Sequence, residues 1–206
     1  MMWCAEIQMR TRFYETILYH YMSRKIILFD FFGVLSGSIY TNVIQKFLPE
    51  KNYGLWLEKL NDHDKGHFSE DDFVKMISKD SEVPESIIWE EVSRQFNLNI
   101  ALLLFIKKIK NKYTTGLLTN ATRSLLERVL EDKIDLFDMQ FISSDIGLLK
   151  PDPEIFKYIL LKLDKKYDQI IFVDDNPINI EVAKKFGIKG ILYKNNKSLF
   201  LEIDGY

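Results

Sequence analysis

The chain alternates between two patterns of hydrophobic residues. Short continuous apolar runs bounded by turn residues are typical of strands buried on both faces of a parallel sheet. Longer segments with apolar residues three and four positions apart are typical of helices that cover a sheet. The first pattern predicts strands at 26–30, 114–119, 138–142, 169–173 and 189–193, and the second predicts helices at 98–111, 123–131, 153–163 and 178–186. This alternation predicts an α/β fold, a parallel sheet flanked by helices.

A long insertion, residues 37–95, separates the first two predicted strands. Its pattern is helical throughout, and Ser69 and Pro84 are helix-start signals within it. The predicted helices are 40–48, 54–61, 70–79 and 84–95. We expect 37–95 to form a small helical domain, while 22–36 and 96–206 together form the α/β core.

The first 21 residues precede this core. Trp3, Ile7, Tyr14 and Ile17 fall near helical spacing, which fits an amphipathic helix lying on the core. The other interpretation, which we favour, is an extension upstream of the natural start. Charged residues interrupt any apolar run here, so the segment does not have the pattern of a signal peptide.

Composition narrows the function classes. A length of 206 residues suits one α/β core with a small insertion. The net charge of −2 disfavours nucleic acid or an anionic membrane as a partner, and no apolar run reaches membrane-spanning length. The single cysteine, Cys4, excludes a disulfide framework and favours a reducing compartment, so we expect a cytoplasmic location.

Polar side chains stand where the predicted strands end. They are Asp30, Thr119, Asn120, Asp174 and Asp175, and Lys150 precedes the predicted helix at 153–163. Because ligands bind beyond the carboxyl ends of strands in open α/β sheets, we expect these side chains to meet in one site.

Three carboxylates in one site repel one another unless a cation lies among them. Oxygen ligands suit Mg²⁺, and a metal together with Lys150 makes a site for a phosphoryl group. Whether Asp174 or Asp175 contacts the metal directly stays open. Asn179 either orients this acidic pair or only packs at the start of the next helix.

Four motifs in this order resemble those of the haloacid dehalogenase-like (HAD) hydrolase superfamily. The motifs are Asp30-Phe31-Phe32-Gly33-Val34, Thr119, Lys150-Pro151-Asp152-Pro153 and Phe172-Val173-Asp174-Asp175-Asn176-Pro177, and the resemblance covers roughly residues 24–195. The residues in these motifs are similar to those of the subgroup that contains sugar phosphatases.

The resemblance implies a Rossmann-like core, a helical cap over residues 37–95 and Mg²⁺-dependent hydrolysis of a small phosphorylated metabolite, such as a sugar phosphate, through an aspartyl-phosphate. It assigns Asp30 as the nucleophile and Lys150 as a second catalytic residue that also binds substrate with Thr119 and Asn120. The implied metal ligands are Asp30, the backbone carbonyl of Phe32, Asp174 and Asp175.

Phe32 departs from the family pattern. Most phosphatases of the family have a second aspartate at this position, which acts as general acid and base. Without it, we expect a preference for substrates with good leaving groups. One alternative is a catalytically weak binding or regulatory module. A second, less favoured, is a 2-haloacid dehalogenase: those relatives lack the acidic pair and use an early cap arginine, whereas this chain has no arginine between Arg24 and Arg94.

Two histidines within the insertion have helical ligand spacing. His63 and His67 are accompanied by Asp62 and Asp64, but Gly66 between them favours a loop. We therefore expect both histidines to be solvated rather than to bind a metal.

Overall fold

In the computed structural model, the residues described are 24–163 and 169–205. Their strands are β1 (Ile26–Phe29), β2 (Thr114–Thr119), β3 (Met139–Ile142), β4 (Ile170–Asp174) and β5 (Lys189–Leu192). All pair in parallel, in the order β3-β2-β1-β4-β5. The predicted α/β fold is confirmed, and the carboxyl ends of β1, β2 and β4 lie side by side. The predictions for residues 1–21 fall outside the described residues.

Helices connect and cover these strands. In chain order they are α1 (Ile39–Phe47), α2 (Tyr53–Asp64), α3 (Glu70–Ser81), α4 (Glu85–Arg94), α5 (Ile100–Ile109), α6 (Arg123–Leu130), α7 (Ser143–Ile146), α8 (Pro153–Leu163), α9 (Pro177–Lys185) and α10 (Asn196–Asp204). Short 3-10 helices occupy Glu50–Asn52 and Glu131–Leu136. No helix in the described ranges is both long and apolar enough to cross a membrane.

The central strand β1 is buried on both faces. Ile27 and Phe29 belong to one hydrophobic cluster, which includes Leu102 of α5. Ile26 and Leu28 belong to a second cluster on the other face. Because side chains alternate across a strand, a continuous apolar run fills the cores on both sides of the sheet. This burial holds the end of β1, where Asp30 follows, in a fixed position.

The helices α1 to α4 all lie between β1 and β2 in the chain. Trp56 and Phe73 are fully buried among them and join the same hydrophobic cluster as Ile27. Glu70 of α3 connects this segment to the core, since its Oε1 accepts hydrogen bonds from Thr122 Oγ1 at 2.6 Å and Ser124 Oγ at 2.9 Å. The division into core and cap domains stays a prediction.

Most element boundaries agree with the sequence expectation to within two residues. The main difference is α2, predicted to end at residue 61, which continues to Asp64 and so carries His63 within a helix. Two helices were not predicted, α7 and α10. Neither has a long amphipathic pattern: α7 is four residues long, and α10 begins at an asparagine cap, Asn195, in a polar stretch.

Candidate active site

Asp30 lies immediately beyond β1, at the carboxyl edge of the sheet. Its backbone N–H donates to Val173 O at 2.8 Å, which extends the pairing with β4 by one residue. Its carboxylate Oδ1 accepts from the Phe31 N–H at 2.7 Å. Only 6% of the residue is exposed. Burial, and to a lesser extent the nearby Asp174, raise the pKa of Asp30 to about 7 despite the opposing charge of Lys150.

Lys150 bridges two of the carboxylates. Its Nζ lies 2.7 Å from Asp30 Oδ1 and 2.7 Å from Asp174 Oδ2. The lysine is 5% exposed, so solvent screens these ion pairs weakly. Two acids and one lysine leave a net negative charge, to which Asp175 adds.

Asp174 is the last residue of β4 and is fully buried. Its Oδ1 accepts from the Asn176 N–H at 2.8 Å, and its Oδ2 accepts from Asn179 Nδ2 at 2.9 Å as well as from Lys150. Asn176 caps α9 through its own side chain, which accepts from the Ile178 N–H. The cap therefore sets the turn that aims Asp174 at the site.

The sequence allowed two roles for Asn179, orienting the acidic pair or only packing at the start of the next helix. Its side chain donates directly to Asp174, as an orienting residue would. Its own Oδ1 is buried and has no hydrogen-bond partner among the described residues.

Asp175 is exposed and faces the loop that follows β1. Gly33 in that loop has φ +78°, and a Cβ on it would lie 2.1 Å from Asp175 Oδ2. The glycine is therefore required both for the turn and for the close approach of the carboxylate. Partial burial and the neighbouring Asp174 raise the pKa of Asp175.

These three aspartates meet the requirements of a divalent cation site. Asp30, Asp174 and Asp175 each offer an oxygen, and the three oxygens lie within 4.8 Å of one another. Burial, and to a lesser extent the charge of Asp174, raise the pKa values of Asp30 and Asp175, so the ionised forms of both carboxyls are disfavoured in the protein alone. A hard cation with a preference for carboxylate oxygens, such as Mg²⁺, would supply the missing charge.

Thr119 ends β2 beside this cluster. It is fully buried, and its Oγ1 has no hydrogen-bond partner within the described part of the chain. A buried hydroxyl without a partner costs free energy. This one is therefore available to a ligand at the sheet edge.

Asn120 holds the loop that carries Lys150 through both polar atoms of its side-chain amide. Its Nδ2 donates to Lys150 O at 2.8 Å, and its Oδ1 accepts from the Lys150 N–H at 2.8 Å. This reciprocal pair positions Lys150, a role that the sequence did not indicate. Asn120 also lines the adjacent cavity, so its predicted contact with substrate stays a prediction.

The prediction that both histidines of the insertion are solvated is wrong for His63. His63 is fully buried, stacked on Phe73 with ring centroids 4.7 Å apart and edge-on to Tyr40. His67 is exposed, as predicted, and pairs with Asp62 at 3.4 Å. The correction follows from the longer α2, which turns residue 63 toward the aromatic side chains of α1 and α3.

Comparison with known proteins identifies the family. A family model described as "Hydrolase: haloacid dehalogenase-like hydrolase" matches residues 24–187. Bifunctional epoxide hydrolase 2 of Rattus norvegicus is 27% identical over 133 residues, 59% of this chain and 24% of that protein. Flavin mononucleotide hydrolase 1 of Arabidopsis thaliana is 34% identical over 74 residues, 34% of this chain and 30% of that protein. The chain thus spans a third or less of the length of these relatives.

A HAD family enzyme of Bacteroides thetaiotaomicron, solved with magnesium and inorganic phosphate, has the same fold. The TM-score is 0.72 at 22% identity, and the match covers 86% of this chain and 99% of the other. The family model spans more than half of the sequence and includes all four motifs around the aspartate cluster. The chain therefore belongs to the haloacid dehalogenase-like hydrolases.

Proposed function

We propose that this hydrolase is a Mg²⁺-dependent phosphatase of a small phosphorylated metabolite. The observation that carries the proposal is the buried cluster of Asp30, Lys150 and Asp174, with Asp175 at its rim. Two relatives support it by name, the flavin mononucleotide hydrolase of Arabidopsis thaliana and the sesquiterpene phosphatase of Aspergillus oryzae. The Bacteroides structure holds magnesium and phosphate together.

Asp30 is the proposed nucleophile. Within the described part of the chain, both contacts of its carboxylate are to Oδ1, which leaves Oδ2 as the oxygen assigned to attack phosphorus. Attack forms an aspartyl-phosphate and releases the alcohol, and water then hydrolyses this intermediate to inorganic phosphate. Lys150 holds the carboxylate in place and stabilises the negative charge of the phosphoryl oxygens.

Thr119 and the acidic pair complete the assignment. The unpartnered Thr119 Oγ1 would donate to a phosphoryl oxygen. Asp30, Asp174, Asp175 and the Phe32 carbonyl would hold Mg²⁺, whose chemistry here is to neutralise charge on the phosphoryl group. Asn179 and Lys150 fix Asp174 Oδ2, so Asp174 is held rigidly even before a metal binds.

A phosphatase screen with sugar, nucleotide, acyl and alkyl phosphates tests this proposal. We expect release of phosphate with Mg²⁺ and none with excess chelator. Asp30→Asn should be inactive, whereas Asp204→Asn, at the exposed end of α10, should retain full activity. Normal turnover by folded Asp30→Asn protein would show that the chemistry lies elsewhere.

A further inference from the structure

A cavity of about 130 Å³ lies at the carboxyl edge of the sheet, lined by residues that closely follow Asp30 and Thr119 in the chain. Phe32 and Asn120 form its core side, and they follow β1 and β2 at the same sheet edge as Asp30. The other side comes from α1 and the residues before it, and from α2. Its lining residues there are Ser38, Ile39, Tyr40, Thr41, Leu60 and Asp64. The part of a substrate beyond the phosphate would lie in this cavity.

Asp64 provides the only carboxyl group among the residues that line the cavity. It is the last residue of α2 and is 8% exposed. His63 Nδ1 lies 3.5 Å from its Oδ1, at the outer limit for a hydrogen bond. The carboxyl group therefore retains the capacity for a stronger bond to a ligand in the cavity.

The surroundings of Asp64 make its carboxyl a weaker acid than an ordinary aspartate. The pKa of the Asp64 carboxyl is raised to about 6, chiefly because the group is buried; His63 opposes this shift, and the charge of Glu70 adds a smaller increase. A negative charge at the C-terminal end of a helix is also unfavourable. Tyr40 is the other lining residue with an acidic proton, but burial raises its pKa well above the ordinary value, so it is the weaker acid.

Two contacts hold the end of α2 against the core. Gly66, with φ +81°, packs so closely on α7 that a Cβ would lie 2.9 Å from Ser144 O. Four residues further on, α3 begins at Glu70, whose carboxylate accepts the two hydrogen bonds from Thr122 and Ser124. Asp64 ends α2 immediately before this short, doubly anchored turn, so its place in the cavity is well defined.

We propose that Asp64 is the general acid and base of this enzyme, in place of the aspartate that the family has at the position of Phe32. The proposal rests on the proposed phosphatase function. As Asp30 bonds to phosphorus, the bond from phosphorus to the leaving oxygen breaks and its electron pair stays on that oxygen. The Asp64 carboxyl donates its proton there, which yields the alcohol and a carboxylate.

The same group acts in reverse in the second half of the reaction. Water attacks the phosphorus of the aspartyl-phosphate, and the Asp64 carboxylate takes the proton that the water loses. The bond between phosphorus and the Asp30 oxygen breaks, which releases inorganic phosphate and restores both residues. The preference for substrates with good leaving groups was predicted from Phe32 alone. With Asp64 as the general acid, this preference is no longer expected.

The test is the dependence of kcat/KM on the leaving group in the full-length enzyme with Mg²⁺. The wild-type enzyme should hydrolyse glycerol phosphate and para-nitrophenyl phosphate with similar kcat/KM. Asp64→Asn is nearly isosteric and should lose about 10²–10⁴-fold on glycerol phosphate but less than about tenfold on the aryl ester, whose leaving group needs no proton. Asp62→Asn, an exposed change in the same helix, should leave both rates unchanged.

Equal losses of Asp64→Asn on both substrates would overturn the assignment, since a purely structural role affects both alike. No loss on either substrate would also overturn it, as would a wild-type enzyme that turns over only the aryl ester. Failure of the underlying phosphatase function has a different result, because the wild-type enzyme would then hydrolyse neither substrate and both proposals would fall.

Discussion

Asp30→Asn is expected to make the metal-free protein more stable while it abolishes turnover. Asparagine is nearly isosteric, and its Oδ1 can still accept from the Phe31 N–H and from Lys150. The substitution removes one negative charge from a buried cluster that contains Asp174 and lies beside Asp175. Without a cation, that charge opposes folding.

The magnitude follows from the pKa of Asp30. This pKa is about 7 in the folded protein against an ordinary value of 3.8. As the pH rises between these values, the unfolded chain loses the proton while the folded chain keeps it, so wild type progressively loses stability. At about 1.4 kcal/mol for each pH unit, the loss reaches an upper limit of about 4 kcal/mol above pH ~7. Asp30→Asn has no such loss.

The assay is urea unfolding of both proteins in excess chelator at a series of pH values. The stability of Asp30→Asn relative to wild type should increase from about pH 4 to about pH 7 and then level off. Excess Mg²⁺ should shrink the difference at high pH, because it binds the folded wild type more tightly. A difference that does not change with pH, or a variant that is less stable at high pH in chelator, would refute the reasoning.

Three further variants test the cluster. Asp174→Asn combined with Asp175→Asn should abolish Mg²⁺ binding in calorimetry, and undiminished binding would contradict the proposed ligands. Lys150→Met should lower the free energy of unfolding by about 3–5 kcal/mol in chelator, because it leaves buried carboxylates unpaired. Urea unfolding measures this change. A loss under about 1 kcal/mol would contradict the role of the ion pairs. Gly33→Ala should reduce Mg²⁺ affinity and turnover together, because the Cβ of the alanine would collide with the Asp175 carboxylate. A Gly33→Ala variant with wild-type Mg²⁺ affinity would show that the close approach of Asp175 to residue 33 is not needed.

Much of the fold and of the cluster could be predicted because the signals are local. The apolar runs before Asp30 and up to Asp174 specify strands buried on both faces, and parallel pairing brings their carboxyl ends to one edge. Asn176 and Pro177 mark the start of α9 by cap chemistry that acts within three residues. The meeting of Asp30 and Asp174 follows from this topology, whereas Lys150 reaches them from a loop.

The sequence by itself thus determined the strands and the polar residues at their carboxyl ends, and it predicted a cation among them. Only the tertiary structure decided which polar residues are brought to that edge from distant parts of the chain. Asn120 holds Lys150 across 30 positions of chain, and no periodicity indicates that contact. His63 and Asp64 lie in a polar stretch that is typical of surface, yet both are buried, and the ring of His63 packs on aromatic side chains from α1 and α3. Burial depends on which distant segments pack together, and that is a property of the whole fold rather than of the local pattern.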